Sequence, residues 1–213
     1  MKHLVCLHAA GSSPATWDHL KPALVGLGYR VHTPTLLGHG SAERRTAYPL
    51  DAFADHVLKE IDGRFTLIGA SLGAFVATLI AQREPDRIDR LVLEELPVPR
   101  RTSDDDPPSN KRGTGLVLRA MGLLNRGRFD PAMLRQIVAE LHKPRPQWWA
   151  ALPTITAPTL LLAGGTTSHL DQSRFALVAK ELPASTVTTI EAGHRIHSKA
   201  PDRWLAAVSP FIG

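Results

Sequence analysis

The sequence of 213 residues has a single cysteine, Cys6, and contains no apolar run long enough to cross a bilayer. One cysteine excludes an internal disulfide, and because Cys6 lies in an apolar run we expect it to be a buried core residue. A membrane span needs about 20 consecutive apolar residues. The first eight residues are too short and too polar for a signal peptide. We therefore expect a soluble cytoplasmic protein without a membrane span.

The sequence also lacks a phosphate loop, a dinucleotide fingerprint, a metal-ligand cluster and a nucleic-acid-binding motif. These absences predict a protein without cofactor, bound metal or nucleic-acid partner. The formal net charge is +5, and residues 97–150 hold ten Lys or Arg against five Asp or Glu, whereas the remainder holds fifteen of each. The positive excess therefore lies in one segment, which we interpret as a solvated helix face.

Short apolar or β-branched runs alternate with helical periodicity along most of the chain, and its length suits one domain. The strands are predicted at residues 3–7, 29–33, 65–69, 90–94, 158–163 and 185–190, and the helices at 14–27, 50–61, 72–83, 171–182 and 201–211. Buried strands that alternate with helices favour an α/β fold, with a mostly parallel sheet covered by helices on both faces.

The alternation stops within residues 97–155, which we interpret as a small helical cap inserted into a core formed by residues 1–96 and 156–213. A segment rich in proline and aspartate, from Pro97 to Ser109, predicts a mobile loop. Asp130-Pro131 predicts the start of a helix, because aspartate caps helices and proline favours their first position. Trp148 and Trp149 either line the pocket entrance or attach the insert to the sheet.

The pattern Gly69-Ala70-Ser71-Leu72-Gly73 falls between a predicted strand and a predicted helix. A serine on such a tight turn presents its hydroxyl above the sheet, and its close neighbours must be small. The following helix aims backbone N–H groups at the place where an oxyanion would form. Ser71 is therefore the candidate nucleophile, and the N–H of Leu72 is a candidate oxyanion donor.

Two other turns at strand ends complete this hypothesis. Gly193-His194 follows the last strand, so a loop there can bring an imidazole over the serine, and His194 is the candidate general base. His197 is the neighbouring alternative. The small residues after the first strand let a second N–H approach the reacting carbonyl, and Ala10 is the candidate donor.

In this order, the three segments resemble the α/β-hydrolase family, and the resemblance covers almost the whole chain outside residues 97–150. Further matches are Leu37-Gly38-His39-Gly40-Ser41 and the run from Pro158 to Gly164. The resemblance implies a serine that attacks an acyl carbonyl, a histidine that transfers the proton and a carboxylate that orients the histidine.

The chain departs from the usual family pattern at the carboxylate, because Thr166 and Thr167 stand where most members carry an aspartate. Haloalkane dehalogenases place this acid after the strand that follows the nucleophile helix, which here corresponds to Glu95. Alternatives are Glu94, which points to the opposite face of the strand, Asp171, which would otherwise cap a helix, and a dyad without an acid.

The leading hypothesis is a serine esterase or thioesterase that acts on a small-molecule acyl substrate, with Ser71, His194 and Glu95 as a catalytic triad. Dehalogenase chemistry is disfavoured because its nucleophile is an aspartate. A carbon–carbon hydrolase or a perhydrolase would use the same Ser–His pair. The missing aspartate near Thr167 also supports an alternative from another class, an inactive binding protein with the same fold.

Overall fold

The computed structural model describes residues 1–105 and 128–213, and within them six parallel strands form one sheet in the order β2-β1-β3-β4-β5-β6. The strands are β1 (Lys2–Leu7), β2 (Tyr29–His32), β3 (Phe65–Ala70), β4 (Ile88–Glu94), β5 (Thr159–Ala163) and β6 (Ser185–Thr189). All six predicted strands are confirmed, as is the parallel α/β fold. The carboxyl ends of the strands all meet at one edge of the sheet.

Successive side chains of the four central strands, β1, β3, β4 and β5, alternate between two buried clusters, as the period of two in a β-strand requires. In β4, Leu91 and Leu93 belong to the larger cluster, and Val92 belongs to the smaller one. Trp17 and Trp204 complete the smaller cluster. The sheet is thus covered on both faces.

Eight helices lie within the described residues. They are α1 (Lys21–Gly26), α2 (Leu50–Leu58), α3 (Leu72–Arg83), α4 (Pro131–Leu141), α5 (Pro146–Ala150), α6 (Ser173–Glu181), α7 (Ile196–Lys199) and α8 (Pro201–Ile212). None of them is long and apolar enough to span a membrane. Asp130 caps α4 by accepting a hydrogen bond from the N–H of Ala132 at 2.8 Å, in agreement with the sequence prediction.

The single helix predicted over residues 14–27 is interrupted. A 3₁₀ turn covers Pro14–Trp17, and α1 begins only at Lys21. Pro22 explains the break, because its ring would clash with the carbonyl of residue 18 in a continuous helix, whereas proline is tolerated in a first turn. Apolar periodicity carries no information on this steric effect.

Both tryptophans of the predicted insert are buried, and Trp148 attaches it to the core. Nε1 of Trp148 donates to Oγ1 of Thr78 in α3 at 2.8 Å, and Nε1 of Trp149 donates to the carbonyl of Pro99 at 3.0 Å. Burial and satisfied N–H groups support the packing alternative over a free pocket lining. Residues 106–127 lie outside the described residues, and with them the part of the predicted mobile loop from Asp106 to Ser109.

Candidate active site

Ser71 lies on a strained turn between β3 and α3. Its backbone adopts φ +52° and ψ −115°, in a region that L residues rarely occupy. The N–H of Ser71 donates to the carbonyl of Glu94 at 2.9 Å, which ties the turn to the end of the neighbouring strand β4. The serine is therefore held at the carboxyl edge of the sheet.

The glycines on either side of Ser71 are required by close packing. A Cβ atom added to Gly69 would lie 2.3 Å from the carbonyl oxygen of Gly73, and one added to Gly73 would lie 2.3 Å from the carbonyl oxygen of Leu7. Only glycine lets backbone segments approach this closely. Because Leu7 ends β1, the same approach brings the start of α3 against the turn that contains Ala10.

Glu95 and His194 come together at this edge. Nδ1 of His194 lies 3.2 Å from Oε2 of Glu95, so the imidazole donates a hydrogen bond to the carboxylate. Glu95 directly follows β4 and, like Ser71, has a left-handed backbone, with φ +51°. Its side chain is fully buried, whereas 23% of the His194 side chain is exposed.

Three further donors surround the Glu95 carboxylate. The N–H of Gly164 and Nε2 of Gln172 lie 2.5 and 2.8 Å from Oε1, and the hydroxyl of Ser168 donates to Oε2. Burial raises the pKa of the carboxyl, but the hydrogen bonds from His194 and these donors outweigh it and hold the pKa below its ordinary value. The site therefore keeps a buried carboxylate ionised beside the imidazole.

The alternative residues occupy other positions. Asp171 accepts from the N–H and hydroxyl of Ser173 at 3.2 and 2.6 Å, at the start of α6. Glu94 points to the other face of the sheet, where Nδ1 of His197 lies 2.8 Å from Oε1. Of these three carboxylates, Glu95 makes the contact with His194.

The turn after β1 is held by a buried histidine. The N–H of Gly11 donates to Nε2 of His39 at 2.9 Å, and Nδ1 of His39 donates to the carbonyl of Leu37 at 3.0 Å. In the described part of the chain, the amide N–H groups of Ala10 and Leu72 have no protein acceptor. Both N–H groups are free to donate to a bound oxyanion.

His8 also stabilises the turn after β1. Its Nδ1 donates to the carbonyl of Ala9 at 2.9 Å, and its Nε2 accepts from the N–H of Leu36 at 3.2 Å. Burial, aided by the neighbouring His39, lowers the pKa of His8 to about 3. Both hydrogen bonds fit the neutral imidazole, so His8 acts as a fixed structural link.

The structure brings Glu95 and His194 into contact and places Ser71 at the end of the adjacent strand. Within the described residues, Ser71 Oγ forms no hydrogen bond with His194. Ser168 and Gln172 could not be identified from the sequence, because a serine in a loop and a glutamine at the start of a helix carry no distinguishing signal. The sequence interpretation quoted His39 only as part of a matching motif, without a role. Ser168, Gln172 and His39 are recognised only by hydrogen bonds to residues that are distant in the sequence.

The chain belongs to the alpha/beta hydrolase family, whose sequence model matches residues 4–208. The fold is also that of known hydrolases. A hydrolase from Pseudomonas aeruginosa covers 100% of this chain and 90% of its own, with a TM-score of 0.79 and 23% identity. The thioesterase domain from the curacin biosynthetic pathway covers 98% and 91%, with a TM-score of 0.76 and 21% identity.

Several sequence relatives are named pimeloyl-[acyl-carrier protein] methyl ester esterase. The protein from Aromatoleum aromaticum is 42% identical over 90 residues, which span 42% of this chain and 35% of the relative. For that of Neisseria meningitidis the identity is 33% over 122 residues, 57% of this chain and 37% of the relative. The Aeromonas hydrophila protein aligns over 99% of this chain and 95% of its own length, at 26% identity.

The packing around Ser71 predicts that Gly73→Ala lowers the free energy of unfolding by roughly 1–3 kcal/mol, because backbone atoms of β1 would have to move. Urea unfolding monitored by circular dichroism measures this change. Gly26→Ala is the matched control, since a Cβ added there meets nothing within 4 Å. We expect the control to be neutral or to stabilise by up to about 1 kcal/mol. Equal effects at both positions would contradict the packing argument.

The environment of His8 predicts a loss of stability in acid. The folded protein keeps this group neutral down to about pH 3, whereas the unfolded chain binds the proton below about pH 6.5. Lowering the pH through this window therefore favours unfolding, with a contribution of about 1.4 kcal/mol per pH unit. Urea unfolding at several pH values should give a shallower dependence for His8→Gln. Parallel curves for the two proteins would refute the prediction.

Proposed function

We propose that this protein is a serine hydrolase that cleaves a carboxylic ester or thioester through an acyl-enzyme. The observation that carries the proposal is the hydrogen bond between the buried Glu95 and the partly exposed His194, at the strand end next to the strained turn of Ser71. A nucleophile, a base and an orienting carboxylate are the parts that acyl transfer by a serine requires. Membership of the alpha/beta hydrolase family supports the same assignment.

In the proposed reaction, Oγ of Ser71 attacks the acyl carbonyl carbon while Nε2 of His194 takes the hydroxyl proton. Glu95 keeps Nδ1 protonated and stabilises the imidazolium that forms. The N–H groups of Ala10 and Leu72 bind the oxyanion, and His194 then returns the proton to the leaving alcohol or thiol. Water repeats these steps on the acyl-enzyme, releases the acid and restores the serine.

The contact between Ser71 Oγ and His194 Nε2 would form as the substrate binds. Catalytic hydrogen bonds are often long or poorly aligned in free enzymes and tighten in the complex with substrate. Glu95 fixes the tautomer of His194, so its Nε2 is the nitrogen left to accept the serine proton. The carboxylate is thus in place before the substrate arrives.

A carboxylic ester is the preferred substrate class. The support comes from the relatives named as methyl ester esterases, one of which aligns with nearly the whole chain. The alternative of an inactive binding protein was based on the missing aspartate near Thr167. Since Glu95 occupies the position beside His194, that alternative loses its support.

Covalent labelling tests the nucleophile. We expect a fluorophosphonate probe to modify wild-type protein at Ser71, because the probe needs an activated serine and an oxyanion pocket. Mass spectrometry of peptides would locate the adduct. Ser71→Ala should lose it completely, whereas Ser12→Ala, which alters a serine in the nearby turn, should keep it. An unlabelled but folded wild-type protein would favour the binding alternative.

Substitution of the carboxylate tests the triad. Glu95→Gln should lower kcat for a p-nitrophenyl ester by at least about a hundredfold, because the amide neither stabilises the imidazolium nor selects the correct tautomer. Asp171→Asn is the matched control and should retain wild-type kcat. Circular dichroism would verify that both variants fold. A near-wild-type rate for Glu95→Gln would reject this residue as the orienting carboxylate.

A further inference from the structure

A second carboxylate–imidazole pair lies behind the site. Glu94 and His197 are both buried, and Oε1 of Glu94 lies 2.8 Å from Nδ1 of His197. They sit one residue before Glu95 and three residues after His194. The two pairs therefore join the same strand end to the same loop, on opposite faces of the sheet.

Glu94 accepts hydrogen bonds from the backbone of the histidine loop, residues 193–197, as well as from the side chain of His197. Its Oε1 accepts from the N–H of Ile196 at 2.9 Å, and its Oε2 accepts from the N–H of His197 at 3.3 Å. Nε1 of Trp204 in α8 donates to Oε2 at 2.9 Å. Among residues 1–105 and 128–213, the donors to this carboxylate thus come from α7 and α8, the elements that follow His194.

The first residue of the histidine loop is hydrogen-bonded to the residue that follows β5. The N–H of Gly193 donates to the carbonyl of Gly164 at 2.8 Å. Residues 194 and 195 are therefore the whole span between two anchored points, one at Gly193 and one at Ile196. With so short a span, the position of the His194 backbone depends on where Glu94 holds Ile196.

His197 is itself held by residues that follow the turn after β1. Its Nε2 lies 2.7 Å from Oγ1 of Thr16, and its ring stacks on Trp17 with the ring centres 4.2 Å apart. Its carbonyl accepts from Nε2 of His19 at 2.8 Å. The pair of Glu94 and His197 thus connects the histidine loop with the segment that follows the turn after β1.

Burying two ionisable groups is costly, and well-packed apolar residues often replace such pairs without loss of stability. An apolar side chain at position 94 would, however, leave the N–H groups of Ile196 and His197 without their acceptor. We propose that Glu94 and His197 are positioning residues that hold His194 against Glu95. This inference rests on the proposed function and adds residues that act through the base.

The kinetic test compares Glu94→Gln with Tyr29→Phe. Glu94→Gln places amide hydrogens against Trp204 and His197, so we expect kcat for a p-nitrophenyl ester to fall about tenfold to a hundredfold, with KM changed by less than about twofold, in line with the cost of small displacements in an active site. The control removes a buried hydroxyl that donates to the carbonyl of Ile212 on the same face of the sheet. It should leave kcat unchanged.

A double variant separates positioning from general weakening of the structure. If Glu94 acts by aligning His194 with Glu95, then Glu94→Gln should change kcat by less than about threefold when Glu95→Gln is already present, because coupled groups are not additive. The same fold reduction in both backgrounds would overturn the proposal, as would a wild-type kcat in folded Glu94→Gln.

Two substitutions of His197 test the same proposal without depending on whether Glu94→Gln folds. His197→Asn keeps a donor toward Glu94, whereas His197→Phe keeps only the ring that stacks on Trp17. We expect the asparagine variant to retain a kcat about tenfold above that of the phenylalanine variant, by analogy with the cost of a lost active-site hydrogen bond. Equal rates for the two variants would overturn the proposal.

Proton NMR tests the same inference without catalysis. The Nδ1 proton of His194, bonded to Glu95, should give a downfield resonance that His194→Gln removes. Glu94→Gln should shift or broaden this resonance, and Tyr29→Phe should leave it in place; an unchanged resonance in Glu94→Gln would overturn the proposal. If the resonance responds while wild-type protein lacks Ser71-dependent hydrolysis, the proposed function fails and the positioning role stands.

Discussion

The hydrogen bond between Glu95 and His194 is the interaction on which the arrangement of the candidate site depends. A buried carboxylate is costly unless donors surround it. The chain meets this requirement with Gly164, Ser168 and Gln172, all from the segment after β5. The family resemblance implies that most members carry the orienting carboxylate in that segment. Here the segment supplies hydrogen-bond donors to Glu95, which directly follows β4.

Backbone geometry at the ends of β3 and β4 makes this possible. Ser71 and Glu95 both turn out of their strands with positive φ, and the strands pair in register through Ala70 and Glu94. Ser71 and Glu95 therefore leave the sheet side by side. Left-handed conformations outside glycine are uncommon and persist where the surroundings determine them, as the close approach of Gly73 to Leu7 does for the turn at Ser71.

Much of the fold could be predicted from the sequence, since the strands fall in short apolar or β-branched runs and helices separate them. The helix over residues 14–27 was predicted wrongly as continuous, because the steric effect of Pro22 is absent from a hydrophobic pattern. At the site, the segments that hold Ser71, His194 and Glu95 could be identified from spacing and from the family resemblance. The catalytic roles of these residues stay predictions until the kinetic tests are made.

Local sequence determined which segments form strands and where the tight turn at Ser71 lies, because these properties depend on near neighbours in the chain. Only the tertiary structure decided which glutamate meets which histidine. Glu94 and Glu95 are chemically identical and adjacent, but Glu94, the last residue of β4, contacts His197, and Glu95, which leaves the strand with a positive φ, contacts His194. The donors around each carboxylate come from segments roughly 70 to 110 residues away, and no local pattern records such contacts.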